Sequence, residues 1–536
     1  MSRFPLLLAG PFSRGGAFSL AGAFLLAGCV FTTRSIEVEV IHDTEQAAPA
    51  GESRWYVPTR AYLTDGSVVV LPSGGSVAGG ELVGSGTRHS LTLDQARPFS
   101  WIPLDSVVAV EAFRENQSVH PVSLLTVPAS VVGGGLLAMG LHAAIFGSCP
   151  TIYAFEHGTE VLEMEAFSHS IAPLMETRDV ARIGARPDSD GILRLELRNE
   201  ALETHYIRNT ELLVVEHARG ERVASDPSGQ PVVTGTPAPL LAARDAGGRD
   251  VLPELLARDD HHFRTDPARL ATAGLATAAT GDERDRIDLL LPVEEGATEV
   301  ALHLRLRNTL LTSVLFYDIM LGESGVAAID WIGSDLDRIG TALELGHWAV
   351  EHLGMRVLVE GAEGWEERHR IADTGPIAWK ELVIPLPATG PTLGVRLDFV
   401  ADAWMIDYAG AAGGVRRPAP LRVPVDRVLD SEGDDDEVER GALAVTDTTH
   451  FVTFPGQRRT LEFAVPEAPG PDRDVTYLLA MQGYYVEWIR GHWLAEATAH
   501  EPFRPVPEAL PRAIRRWIDV MDDFERDFHA TRIPVR

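Results

Sequence analysis

The chain has 536 residues, enough for three or four domains with cores of their own, and its 45% hydrophobic and 23% charged residues are those of a globular protein, not a disordered one. Against 47 Lys and Arg stand 77 Asp and Glu, a formal net charge of −30, which argues against the basic face a nucleic-acid partner requires. Two cysteines cannot build a disulfide framework or a four-thiolate zinc site, and Lys380, the only lysine, sits in a context that matches no P-loop, kinase or Schiff-base enzyme.

At the N-terminus, Arg3 and Arg14 supply positive charge around a short apolar run, 17–26, and no acidic residue precedes Glu37. That is the pattern of an export signal, too short for an ordinary membrane span. The sequence Leu26-Ala27-Gly28-Cys29 resembles the lipobox of bacterial lipoproteins. The resemblance implies a signal peptide over 1–28, cleavage before Cys29 and acylation of that cysteine, which places the chain in the cell envelope. Within that family, Val30 in place of Asp implies release to the outer membrane, with the periplasmic or surface-exposed side left open. Two or three acyl chains make such an anchor stable where one does not.

Beyond the signal, Ile36, Val38 and Val40 alternate with Glu37 and Glu39, the period of a half-buried strand. Further short alternating runs at 61–63, 67–71, 81–84, 90–93 and 105–110 make 29–120 a small β-barrel or meander. Residues 121–147 carry no charge and are divided by Gly133-Gly134-Gly135. This connector, 121–148, is read as a membrane-dipping hairpin, a segment buried against the protein body, or a span. Cys149, in Ser148-Cys149-Pro150, is expected to be a buried structural thiol.

The rest of the chain divides by composition. Residues 149–222 read as a β domain, 223–299 as an irregular linker with a short helix around 251–258, and 300–412 as a β-sandwich-like domain. Residues 413–470 read as an acidic connector with strands, and 471–536 as an aromatic segment followed by a helix. That helix is marked by Ile514, Trp517, Ile518, Met521, Phe524 and Phe528 at spacings of three and four, which form one apolar face. The run Leu193–Leu202 aligns with Leu302–Leu311 as a possible internal repeat, with a third strand of the same rhythm at 393–399. The Ser-Cys-Pro segment with Tyr153, the strand 193–200 and Gly483-Tyr484-Tyr485-x-x-Trp488 resemble segments of uncharacterised bacterial lipoproteins, a group that carries no activity to transfer. The fold class expected is mainly β: a small N-terminal β-barrel or meander, then β-sandwich-like domains with a C-terminal amphipathic helix.

The chemistry-bearing constellations are weak. Asp259-Asp260-His261-His262 has metal-ligand types, but four adjacent residues seldom converge on one centre. His347 and His352 are five apart, which fails both known helical zinc-peptidase spacings. The acidic run 430–437 fails the EF-hand positions and reads as a surface loop. No Gly-x-Ser-x-Gly elbow occurs. Tyr484, Tyr485, Trp488 and Trp493, with Trp379 and Trp404 as further aromatics, are the candidate binding surface, since aromatic faces stack on sugars and partner side chains. No catalytic residue, metal or cofactor is assigned. The leading reading is a non-catalytic, envelope-tethered binding or scaffold protein, held to the membrane through Cys29 and engaging a protein or glycan, with residues 121–147 as a second membrane contact. A hydrolase of envelope glycans or peptides and a structural subunit of an envelope assembly are the alternatives.

Overall fold

The computed structural model describes, apart from short gaps, residues 32–41, 53–119, 149–322, 339–444, 449–487 and 506–535. Cys29, residues 121–147, Trp488 and Trp493 lie outside the described residues. The protein is mainly β, built of antiparallel sheets with a few helices, as the alternating runs predict.

Residues 32–119 form one eight-stranded sheet. Its first strand, Thr32–Ile41, pairs along its full length with the last, Val107–Val119. Ala61, Leu63, Val69, Leu71, Val77 and Leu82 are buried on one side of it, the inward set of the period-two pattern. No ladder closes this sheet among the described residues, so it is an open meander and not a barrel.

The body consists of two sandwiches, and the second is inserted into the first. In the first, one sheet runs Thr159–Glu165, Thr151–Glu156, Ile192–Arg198, Arg458–Ala464, Arg427–Leu429. The facing sheet runs Thr177–Ile183, Arg473–Glu487, Glu203–Ala218, Leu421–Pro424, with Phe451–Thr453 also paired to Glu203–Ala218. Leu193, Leu195 and Leu197 from one sheet meet Ile207, Leu212 and Leu479 from the other. This sandwich takes strands from 151–218 and again from 421–487, while the residues between them build the second.

The second sandwich stacks Pro231–Thr234, Arg222–Ser225, Lys380–Pro387, Glu299–Asn308, Trp404–Ala412 and Ala238–Pro239 against Ala242–Asp245, Arg284–Pro292, Thr392–Val400, Met355–Gly361 and Gly364–Ile371. Residues 223–299, expected as an irregular linker, therefore supply strands to both of its sheets. The helix expected near 251–258 is a single 3-10 turn, Leu252–Leu255. A true helix, α1 (Pro267–Gly274), follows, with the Asp266 side chain accepting from Ala268 N and Pro267 in the first turn. The two aligned Leu-rich runs become central strands of different sandwiches. Val180, Leu213 and Val215 of the first pack with Val223 and Val233 of the second, so the two share a dry seam.

Helical elements close one end. Leu311–Ser313 (α2) runs into a π-helical stretch, Val314–Met320, with Leu321 N donating to Phe316 O at 2.8 Å. Helix α3 spans Ile339–His352, α4 Glu437–Ala444, and α5 Ala509–Phe528. In α5 the apolar face docks on the body: Ile514, Trp517 and Phe528 are buried, and Ile518, Met521 and Phe524 pack against the same core. No described helix is long and apolar enough to cross a membrane.

Candidate functional site: a cavity between the sandwiches

Where the two sandwiches meet α3, the fold leaves a cavity of about 460 Å³, within the range of small-molecule sites. Both sandwiches build it. The first contributes the loop 168–177 and Tyr485; the second contributes the end of strand Glu299–Asn308, the α2 region, α3 and the turn 372–376. Its wall is mainly apolar, with Ile171, Leu174, Met175, Phe316, Leu345 and Leu353 prominent. The π-helical stretch lengthens each turn by a residue, and within it Phe316 and Tyr317 both line the cavity. On α3 the lining residues Ala342, Leu345, Gly346 and Ala349 recur at three and four, so one helix face serves as the roof, with Leu353 just past its end.

The polar groups gather at Ser168, His169, Asp373, Tyr317 and Tyr485. Ser168 Oγ donates to Asp373 Oδ1 at 2.7 Å, and Gly375 N donates to the same oxygen at 2.6 Å. Among the described residues Asp373 Oδ2 takes no hydrogen bond. Tyr485 OH donates to Ser168 O at 2.8 Å and lies 3.2 Å from Tyr317 OH. Burial, then nearby carboxylates (Glu487 and Glu203 among them), hold both phenols well above their ordinary value, so they stay protonated. Burial holds His169 below its ordinary value, against the pull of Asp373 and Asp179, and its Nδ1 is buried with no partner. The imidazole is therefore neutral at pH 7.

Behind this wall lies an enclosed polar layer. Cys149 Sγ donates to Glu165 Oε1 at 2.7 Å, and Cys149 N donates to Glu203 Oε1 at 2.6 Å. The other oxygen of Glu165 accepts from Ile377 N at 2.6 Å and Ala378 N at 3.1 Å. Burial outweighs these bonds and pushes Glu165 up to about 8. Gly375 has a positive φ of 80°, and a Cβ there would strike the Glu165 carboxyl, so this turn admits only glycine. Burial, then Glu165 and Glu203, raise the Cys149 thiol well above its ordinary range, which makes it a poor nucleophile. Thr453 Oγ1, His205 and Glu203 form a hydroxyl–imidazole–carboxylate chain with spacings of 3.0 and 2.6 Å. All three residues are fully enclosed, so the chain cannot reach a substrate. Among the described residues no imidazole bonds a serine hydroxyl or the Cys149 thiol. The arrangement can enclose and orient a ligand.

The other constellations take structural places. Tyr484 and Tyr485, expected as part of an aromatic surface, are 2% and 1% exposed, because they point to opposite faces of strand Arg473–Glu487 and each face is packed in a separate core. Tyr484 stacks on Tyr206 at 4.7 Å, and only Tyr485 reaches the cavity. Trp404 is fully buried, and Trp379 lies against Arg305 and Arg307 at 5.0 and 4.9 Å. Asp259 and His261 are exposed. His347 lines the cavity on α3 and lies 3.4 Å from Glu351, whereas His352 packs beside Trp348. In the acidic run, Asp430 accepts from the backbone of Glu432 and Asp434, and Asp436 caps α4 through Val438 N and Glu439 N. Among the described residues no group of three or more His, Cys, Asp or Glu is placed to hold a metal ion. A wider cleft of about 760 Å³ carries Arg249, Arg284 and Arg356, of which Arg249 pairs with Asp245 while Arg284 and Arg356 share Asp398. Sequence reasoning passed over Ser168, His169, Tyr317 and Asp373, since no local pattern joins residues so far apart in the chain.

No protein-family model and no curated protein matches this chain. Among solved structures it is similar to the cycloalternan-forming enzyme from Listeria monocytogenes, at 11% identity over 69% of this chain and 29% of that one, with a TM-score of 0.17. It is also similar to the secreted serine protease VesC from Vibrio cholerae (9% identity, 69% and 99%, TM-score 0.15) and to a GH31 alpha-xylosidase from Xanthomonas citri (8%, 84% and 38%, TM-score 0.14). The chain spans 29% of the length of the first of these. Scores this low carry no argument about function.

Proposed function

We propose that this chain is a lipid-anchored envelope protein whose two-sandwich body binds a small, largely apolar molecule in the cavity beneath α3. The observation that carries the binding half is the cavity itself: about 460 Å³, apolar on most of its wall, with a few hydrogen-bonding groups at Ser168, His169 and Asp373. The envelope half rests on the export pattern and on Leu26-Ala27-Gly28-Cys29. Ligand binding without turnover fits a neutral His169, a thiol held protonated and a serine hydroxyl bonded to a carboxylate.

Binding is tested with an uncharged naphthylamine dye that brightens in apolar surroundings, using wild type beside Gly346→Phe. Gly346 lies on the roof face of α3, and a Cβ there meets nothing within 4 Å, so the ring enters open space. Replacing a helical glycine also stabilises the helix by up to about 1 kcal/mol, so the variant stays folded. Wild type is expected to bind the dye and Gly346→Phe to lose at least about tenfold in affinity, the equivalent of roughly two buried methylenes. Equal binding by both would overturn the assignment of this cavity. For the anchor, wild type is expected in the membrane fraction and Cys29→Ala in the soluble one; a Cys29→Ala protein that stays in the membrane refutes Cys29 as the sole tether.

A further inference from the structure

The charge around the cavity determines what kind of head group its occupant carries. Among the described residues no lysine or arginine lines the cavity, and the two lining histidines differ in place: His169 is neutral, and His347 is largely exposed beside Glu351. Asp373 is the one lining carboxylate among the described residues. Its Oδ1 is already held by Ser168 Oγ and Gly375 N, which fixes the carboxylate plane, while Oδ2 takes no donor among the described residues. Around it, Asp179 is matched by Lys380, and Glu165 lies behind the wall, held by Ile377 N. Arg307 bonds Pro376 O and Ile377 O.

Resting on the binding reading above, we infer that the ligand is a cationic amphiphile: an apolar tail along Leu174, Phe316, Leu345 and Leu353, and an amine head that donates to Asp373 Oδ2. An anionic head would bring a second negative charge to Asp373 with no lysine or arginine among the described lining residues to offset it. An uncharged alcohol would fill the same volume and leave the carboxylate without a counter-charge.

The test is dye displacement by dodecylamine, dodecanol and dodecanoate, each below its aggregation concentration, on wild type and Asp373→Asn. The asparagine keeps an acceptor for Ser168 and Gly375, and a denaturant midpoint close to that of wild type reports that it is folded. Dodecylamine is expected to bind wild type about tenfold or more tighter than either competitor, the usual worth of a hydrogen bond to a charged partner. In Asp373→Asn the ratio of dodecylamine to dodecanol affinity falls to about one. A dodecanoate or dodecanol affinity equal to that of the amine overturns the amine assignment and leaves the cavity reading standing. So does a preference that survives Asp373→Asn. If neither the dye nor any of the three binds wild type, the cavity reading falls, and this inference falls with it.

Discussion

Four buried groups, Glu165, His169, His205 and His303, couple this fold to pH. Glu165, near 8 in the folded protein against an ordinary 4.5, holds a proton that the unfolded chain has released. The stability from that proton is complete below 4.5 and is lost as pH rises to 8, by at most about 1.4 kcal/mol per unit. His205 and His303 act in the opposite sense. Burial holds each to about 3 against an ordinary 6.5, so the unfolded chain protonates first and stability falls as pH drops below 6.5. Two half-titrated imidazoles balance one carboxyl at about pH 6.5, and His169, shifted the same way, moves the balance slightly higher. Denaturant midpoints across pH 4–9 are therefore expected to peak at about 6.5 to 7. Glu165→Gln, which keeps acceptors for Ile377 N and Ala378 N, removes the decline between 6.5 and 8. A wild-type midpoint still rising at pH 8 contradicts this assignment of charge. None of it was legible beforehand: Glu165 belongs to an ordinary alternating strand, and its partner Ile377 is 212 residues away.

At the scale of elements, α5 shows what a local pattern can and cannot say. Its apolar spacing predicts the helix and its buried face, because both depend only on a 3.6-residue period. What the face meets is tertiary: Trp517 Nε1 donates to Asp402 Oδ2 at 2.7 Å, and Arg264 bonds the same carboxylate. Trp517→Ala is expected to cost about 3–5 kcal/mol through the cavity it leaves. Trp517→Phe keeps most of the packing but removes one donor from a buried carboxylate, for about 1–3 kcal/mol. Chemical denaturation measures both, and a Trp517→Phe loss near zero would mean that the hydrogen bond contributes nothing. Strands were legible where alternation was clean, as in Ile192–Arg198, Glu299–Asn308 and Thr392–Val400. Residues 223–299 were misread because Pro, Gly and Asp between short strands resemble a linker. Yet Ile287, Leu289 and Leu291 alternate inside Arg284–Pro292 and are buried.

Across the whole molecule, the insertion of one sandwich into the other makes the C-terminal third indispensable to the N-terminal part of the body. Strand Arg473–Glu487 lies between Thr177–Ile183 and Glu203–Ala218, bonded to both. A chain ending at residue 420 loses it together with Arg458–Ala464, α5 and the buried faces they cover. Such a truncation is expected to be aggregated or proteolysed even though the second sandwich keeps all its strands. Limited proteolysis of the truncated chain should leave a resistant core near 222–412 and digest 149–218. Survival of 149–218 as a resistant fragment would show that the first sandwich does not need its returning strands.

The amino-acid sequence by itself determined the β class, the C-terminal amphipathic helix and the exclusion of several chemistries. Each depends on the period or the count of residues, which a chain carries locally. The tertiary structure alone decided that the β run at 32–119 stays open, that 223–299 is sheet, that Tyr484 and Tyr485 are core, and that a cavity stands between the sandwiches. Ser168 and Asp373 are 205 residues apart and Ser168 and Tyr485 317 apart. Their meeting follows from which strands pair across the inserted domain, a long-range choice set by burying both sandwich faces at once.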